Sequence, residues 1–195
     1  GIGPKRADKI TSAWADQKVI REIMVFLHSH AVGTARAVRI FKTYGVDSVQ
    51  VMSENPYRLA RDIRGIGFRT ADLIAEKLGI EKTAMIRVRA GISYVLTEAM
   101  GNGHCGLPRE ELIPLAIKLL EVLDDLIQTA IELEMSEGTV TADTVGDLPC
   151  VFLSGLYHAE KGVADRFQHL NAGPLPWPDI DAAKASPWVE KKTGL

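Results

Sequence analysis

Apolar side chains recur with a helical period along most of this chain. Between residues 16 and 30 they form one stripe that follows Asp16, a suitable N-cap: Val19, Ile20, Ile23, Met24 and Leu27. The pattern predicts further helices over residues 4–14, 34–44, 46–52, 83–100, 109–122, 124–135 and 156–170, and on both sides of residues 65–67. Residues 137–142 and 150–153 have the pattern of a β-hairpin instead, with Gly146 and Asp147 in its turn. We therefore predict a mainly α fold with a small α+β part.

A short motif occurs three times, each time at the start of a predicted helix. Its glycines, Gly3, Gly33 and Gly67, lie 30 and 34 residues apart. Alanine follows each glycine after four positions and isoleucine after seven: Ala7, Ala37 and Ala71, then Ile10, Ile40 and Ile74. A regular spacing of this kind indicates an internal repeat rather than one chance motif.

The third copy has glycine at both ends of its bend. Gly65 and Gly67 allow positive φ and the close approach of another backbone or a ligand. We expect Ile66 between them to fill the gap between the two helices. The helix that follows begins with free N–H groups, the positive end of its dipole and Arg69. This combination favours the binding of a phosphate.

We interpret the three bends as helix-hairpin-helix elements that each bind one phosphate through backbone N–H groups. The candidate DNA-binding residues are Gly65, Ile66, Gly67, Phe68, Arg69 and Thr70 in the third bend, Val32, Gly33, Thr34 and Arg36 in the second, and Gly1, Gly3, Lys5 and Arg6 in the first. The alternative is that the glycines only let two helices turn sharply and pack. Ala31 stands where a first bend glycine would be, and alanine resists positive φ, which favours the structural alternative for the second bend.

Charge is distributed unevenly along the 195 residues, although the net charge is only −2. Residues 1–100 hold 16 Lys and Arg against 10 Asp and Glu, whereas residues 101–195 hold 7 against 15. The three bends lie in the basic half, as a phosphate-binding surface requires. The acidic half is expected to avoid nucleic acid or to face a basic partner.

Turn-forming residues suggest three parts. Residues 1–100 form the tandem helix-hairpin-helix domain, and a glycine-rich loop at 101–106 marks its end. In residues 101–171 the order of helices followed by a hairpin resembles a winged-helix arrangement. Its candidate recognition helix, 124–135, is acidic, which favours packing or protein docking over DNA binding. Residues 172–195 are rich in proline and are expected to form a linker or extended arm.

Several kinds of chemistry find no support. His28, His30, His104 and Cys105 do not have the spacing of a zinc site, so no metal is expected. No arrangement of acids, bases and nucleophiles indicates catalysis, and no G-x-x-x-x-G-K-[ST] motif is present to bind ATP. No apolar run is long enough to span a membrane, and we expect no signal peptide. Cys105 and Cys150 are best explained as reduced thiols of a cytoplasmic protein.

The stretch from Gln17 to Gly79 resembles a known family. The resemblance rests on three segments, Gly33-Thr34-Ala35-Arg36-Ala37, Asn55-Pro56-Tyr57-Arg58-Leu59 and Ile63-Arg64-Gly65-Ile66-Gly67-Phe68, and continues in Leu107-Pro108-Arg109-Glu110-Glu111-Leu112. It is similar to the N-terminal region of RecD-like DNA helicases (the RecD/TraA family, like the exodeoxyribonuclease V alpha subunit). The resemblance covers nearly the whole chain.

The resemblance implies an accessory DNA-binding region of a helicase rather than the helicase motor itself. Such helicases unwind DNA 5′ to 3′ with ATP and serve in recombination and repair. We expect this chain to be part of a longer protein, to bind single-stranded or forked DNA without sequence preference, and to precede the helicase motor of the same chain. ATP and Mg are expected only in that motor, with no cofactor here. The alternative is a helical scaffold that docks the motor or a partner protein.

Overall fold

The computed structural model describes residues 3–30, 32–173 and 181–194. Helices α1 to α5 cover Pro4–Ser29, Ala37–Tyr44, Ser48–Glu54, Arg58–Asp62 and Phe68–Lys77, with short 3-10 turns at Thr34–Arg36 and Gly45–Asp47. Helices α6 to α10 cover Met85–Gly101, Arg109–Leu120, Asp124–Ser136, Ser154–Ala172 and Ala182–Thr193. Strands β1 to β3 cover Gly106–Pro108, Val140–Val145 and Leu148–Leu153. The expected mainly α fold with a small β part is confirmed.

Two hydrophobic cores organise the described residues up to Tyr157. The first core gathers α1 to α4 and one side of α5, with Ile23, Leu27, Val32, Ala37, Ile40, Met52, Leu59, Ile63, Ile66 and Ile74 as its buried members. The second core gathers the other side of α5, α6 to α8 and the sheet, and it includes Phe68, Ala71, Val88, Ile92, Leu112, Leu120, Ile127, Ile131, Val140 and Val151. Helix α5 therefore belongs to both cores.

The second core passes from α6 through α7 and α8 to the sheet without a break at residue 101. The chain divides instead into the compact units Gly1–Tyr157 and His158–Leu195. Helix α6 ends in the predicted loop, but its buried face packs on α7 and α8. The expected parts 1–100, 101–171 and 172–195 stay a prediction, and the second core extends across the first of their boundaries.

The sheet is antiparallel, in the order β1-β3-β2. Val151 in β3 lies opposite Leu107 of β1 on one side and Ala142 of β2 on the other. The predicted hairpin is present, and Gly146 takes a φ of +63° in its turn. Strand β1 was not predicted, because three residues that include a proline carry no readable alternation.

Two stretches differ from the expected elements. Residues 4–29 form the single helix α1, whereas two helices separated near Asp16 were expected. Neither glycine nor proline interrupts this stretch, so nothing stops the first helix from running into the second. Residues 182–193 form helix α10 rather than an extended arm, and Asp181 caps it by accepting a hydrogen bond from the Ala183 N–H at 3.1 Å. The expected arm at Pro174, Pro176, Trp177 and Pro178 lies outside the described residues.

Candidate nucleic-acid interface

The third bend is a tight turn whose two glycines have different conformations. Gly65 has a φ of +89°, which an L residue adopts only with strain. Gly67 is extended, with φ −96° and ψ 172°, and forms the N-cap of α5. Ile66 is buried in the first core, as expected, and its N–H donates to the Ile63 carbonyl at 3.0 Å. Positive φ is thus needed at Gly65 and not at Gly67.

The first turn of α5 is open to an anion. The Gly67 carbonyl accepts the N–H groups of Thr70 and Ala71 at 3.1 and 3.2 Å, and no side chain caps the helix. A Cβ placed on Gly67 would meet no described atom within 4 Å. The fold itself therefore does not require glycine here, whereas a ligand that approaches the bare N–H groups would benefit from it.

Aromatic packing holds the start of α5 in place. The Phe68 ring lies between Tyr57 and Tyr94, with ring centroids 5.6 and 5.4 Å apart, and is 2% exposed. Burial, with the nearby Glu98 carboxylate, raises the pKa of Tyr94. Since the Phe68 side chain is buried, only its backbone faces a possible ligand. Arg69 is exposed and Thr70 is half-buried.

A partly buried ion pair fixes the same helix from the other side. Asp72 accepts hydrogen bonds from Arg87 Nε and Nη2 at 2.8 and 3.0 Å and from the Tyr57 hydroxyl at 2.6 Å. Arg87 also donates from Nη1 to the carbonyls of Lys82 and Leu120. Burial and the bond to Asp72 raise the pKa of Tyr57. Helices α5, α6 and α7 are thereby joined by one polar network.

The second bend has a different first turn. Gly33 is again an extended N-cap, with φ −62° and ψ 134°, but Thr34 and Arg36 lie in a 3-10 turn and the α-helix begins only at Ala37. Val32 is buried in the first core, and Ala31 lies outside the described residues. The sequence predicts a continuous helix from Thr34, whereas the structure has a 3-10 turn there. Because of this turn, the N–H groups of the second bend are arranged differently from those of the third bend.

Arg39 in α2 contacts the third bend, and the sequence did not predict this contact. Its Nη1 donates to the Arg64 carbonyl at 2.7 Å, and a Cβ on Gly65 would lie 3.5 Å from the same nitrogen. The signal in the sequence was the cation six residues after Gly33, which the first copy repeats as Lys9. Arg39 places a further positive charge at the bend.

The first bend is described only in part. Gly1 lies outside the described residues, and Gly3 is an extended N-cap whose carbonyl accepts the N–H groups of Arg6 and Ala7 at 2.9 and 3.0 Å. Lys5 and Arg6 are exposed. The repeat positions Ala37, Ala71, Ile40 and Ile74 are buried, but Ala7 and Ile10 are exposed because residues 4–18 of α1 stand clear of both cores.

Comparison with known proteins agrees with this geometry. The family model described as the HHH (helix-hairpin-helix) domain of the ATP-dependent RecD2 DNA helicase matches residues 16–106. The resemblance to RecD-like helicases is confirmed. The matched stretch includes the second and third bends and lies C-terminal to Gly3. A relative, the ATP-dependent RecD2 DNA helicase of Deinococcus radiodurans, is 25% identical over 205 residues, which cover 98% of this chain and 28% of that protein.

Other kinds of site gain no support from the described residues. Within 3–30, 32–173 and 181–194, no three His, Cys, Asp or Glu side chains are grouped as a metal ion would need. His30 is the C-cap of α1, where its ring stacks on Phe26 and its Nδ1 lies 2.6 Å from the Phe26 carbonyl. Among the same residues no helix combines the length and the apolar character of a membrane span.

Proposed function

We propose that this chain is a non-catalytic DNA-binding region of an ATP-dependent DNA helicase. The observation that carries the proposal is the uncapped start of α5 at Gly67, beside exposed Arg69, within a stretch that matches a helicase HHH domain. Backbone N–H groups and a cation bind the phosphate that every nucleotide carries, so binding is independent of base sequence. Single-stranded or forked DNA is the proposed ligand.

The motor that this region would serve belongs to the rest of a RecD-type protein. The chain spans 28% of the relative it matches, so ATP hydrolysis, Mg binding, 5′ to 3′ unwinding and a role in recombination or repair are proposed for that remainder. In this proposal the residues of the third bend hold the DNA backbone while the motor moves along it. Purified as it stands, the chain is expected to show no ATP hydrolysis.

The experiment is fluorescence anisotropy with labelled single-stranded and forked DNA over a salt series. We compare the native chain with the double variant Gly67→Val, Arg69→Glu, which blocks the N–H groups and reverses the charge. Loss of charged hydrogen bonds of this kind should weaken binding about tenfold or more. The matched control is Lys77→Glu, which makes the same change of charge in the last turn of α5.

The outcomes of this comparison distinguish a phosphate-binding bend from one with a structural role alone. Loss of binding in the double variant, with native-like circular dichroism and unchanged binding by Lys77→Glu, supports a phosphate site at the third bend. Equal affinity of the double variant and the native chain would show that the bend is structural. Affinity that does not change with salt would exclude phosphate contacts as its source.

A second candidate function is docking of the helicase motor or of a partner protein. In the unit His158–Leu195, α9 exposes Val163, Phe167 and Leu170, which are 54%, 70% and 76% exposed. Their spacing of four and three residues places them on one face of the helix. We expect Phe167→Asp with Leu170→Asp to abolish binding to the separately expressed motor, if this face docks it, and to leave DNA binding unchanged.

A further inference from the structure

A cleft between α5 and α7 lies next to the third bend. Its volume is about 360 Å³, and it is lined by Phe68, Arg69, Asp72, Leu115, Lys118 and Leu119. Arg69 is only two residues beyond the N-cap Gly67. A phosphate bound at the start of α5 would therefore have this cleft beside it.

Two of the residues that line the cleft, Arg69 and Lys118, are positively charged. The Asp72 carboxylate is already occupied by Arg87 and the Tyr57 hydroxyl. Within the described part of the chain, neither Arg69 nor Lys118 forms an ion pair, and both side chains are exposed. Two cations on different helices thus face one cleft, and among the described residues that line it the carboxylate, Asp72, is neutralised by a partner.

The remaining walls are apolar. Leu115 is 45% exposed and Leu119 is half-buried, while Phe68 is buried at the base of α5. An exposed leucine is a normal feature of a protein surface, but here it stands between two unpaired cations. This alternation of charge and apolar surface matches a nucleotide, whose phosphate is anionic and whose unpaired base and sugar present apolar faces.

We propose that this cleft binds the nucleotide next to the phosphate held by the third bend, and that Lys118 contacts its backbone. The ligand is single-stranded DNA, because a base has an accessible face only where it is unpaired. The proposal rests on the DNA-binding function proposed above. It extends the interface from the helix-hairpin-helix stretch onto α7, in the acidic half of the sequence, where no DNA contact was expected.

The chain offers a matched control on the same helix. Arg109 lies nine residues before Lys118, which places it on the opposite face of α7. It lies 3.9 Å from Glu132 and away from the cleft. Lys118→Gln and Arg109→Gln remove one positive charge each, so general electrostatic attraction changes equally in both. Lys118→Arg keeps the charge and should keep the affinity.

The test measures binding of labelled oligo(dT) of about 15 nucleotides, a length within the usual range of single-strand sites, from about 50 to 200 mM salt. Lys118→Gln should weaken binding about two- to fivefold, the effect of one exposed charge contact. The slope of log affinity against log salt should fall in magnitude by about 0.7, as for one lost phosphate contact on a single strand. Arg109→Gln and Lys118→Arg should resemble the native chain.

The outcomes separate the two proposals. If Lys118→Gln and Arg109→Gln bind equally while the Gly67→Val, Arg69→Glu variant fails, the third bend binds DNA and the cleft does not. If a blunt duplex of equal length loses as much affinity as the single strand in Lys118→Gln, the assignment to an unpaired nucleotide is wrong. If the native chain binds forked DNA but no oligo(dT), the cleft proposal is overturned and the proposed function stands; if it binds neither, both proposals are overturned.

Discussion

Gly65 and Gly67, two residues apart, differ in what they contribute to the third bend. Gly65 supplies a backbone conformation, since its φ of +89° excludes ordinary side chains without strain. Gly67 has an ordinary extended backbone and open space where a Cβ would stand, and the role that we propose for it is to give a phosphate access to the N–H groups of α5. Stability and binding should therefore depend on different glycines.

This difference can be measured by replacing each glycine with alanine. Gly65→Ala should lower the free energy of unfolding by about 1–2 kcal/mol because of its positive φ. Gly67→Ala replaces an N-cap glycine by the less favourable alanine, at a cost of up to about 1 kcal/mol that the lower entropy of the unfolded chain partly offsets. We therefore expect it to lose less stability than Gly65→Ala and to weaken DNA binding. Urea unfolding gives the first quantity and anisotropy the second. A Gly67→Ala chain that loses as much stability as Gly65→Ala would contradict the assignment.

Asp62 gives a residue-scale prediction about pH. Burial acts to raise its pKa, but hydrogen bonds from Arg61 and the Tyr44 hydroxyl, at 2.8 Å each, together with the positive charges of Arg61 and Arg58, outweigh burial and lower the pKa. A carboxyl whose pKa is lowered in the folded state stabilises the fold at any pH above its ordinary pKa of about 3.9. This stabilisation is lost as the pH falls through the lowered pKa.

The native chain should accordingly be more stable than Asp62→Asn at pH 7, and the difference should shrink as the pH falls below about 4. Urea unfolding of both chains at several pH values measures it. Other acids titrate equally in the two proteins, so they cancel in the comparison. A difference that stays constant with pH would show that the Asp62 charge does not contribute.

At the scale of elements, α5 is held by contacts on two sides. Phe68 packs between two tyrosines, and Asp72 forms the ion pair with Arg87, whose side chain is 9% exposed. Arg87 in turn reaches the carbonyl of Leu120 at the end of α7. The helix that presents the candidate phosphate site is therefore positioned by both its neighbours.

Removing the carboxylate should uncouple these helices. Asp72→Asn leaves the Arg87 guanidinium buried without its counter-ion, and we expect a loss of about 2 kcal/mol, below the usual range for fully buried pairs because Asp72 is partly exposed. In a double-mutant cycle, Arg87→Met should cost much less in the Asp72→Asn background than alone. Additive losses in unfolding free energy would contradict the coupling.

The elements that sequence reasoning predicted are those with local signals. Helix α5 has a glycine before it, an apolar stripe within it and Gly79 after it, and each of these can be read within about ten residues. Strand β1 is too short to show alternation, and α1 has no residue that separates it into two. Local patterns predict where a helix can begin. They do not predict whether it continues into the next one where no glycine or proline interrupts it.

At the scale of the whole molecule, the unpredicted features are contacts between distant parts of the chain. Arg39 reaches the Arg64 carbonyl 25 residues away, and Lys118 lines a cleft with Arg69. No spacing rule connects such residues, because their proximity depends on how α2, α5 and α7 pack. The division at residue 101 was drawn from a glycine-rich loop, whereas the second core continues across it through α6, α7 and α8.

The two cores also explain how the described residues up to Tyr157 hold the proposed phosphate-binding groups in a fixed arrangement. Helix α5 contributes Ile74 to the first core and Phe68 to the second, so its N-terminus cannot move without disturbing both. A preformed anion site binds with little loss of conformational entropy. In the proposed function the basic half supplies a rigid contact, and the binding should be weak, sensitive to salt and independent of sequence.

The most direct test of this account observes the amides themselves. In nitrogen-15 NMR spectra recorded during titration with oligo(dT), the N–H signals of Gly67, Phe68 and Arg69 should shift strongly. The Ala71 N–H, which already donates to Gly67, should shift less. This pattern would place a phosphate on the bare N–H groups of α5. Shifts confined to other helices, with these three amides unchanged, would contradict the central claim that the third bend binds DNA.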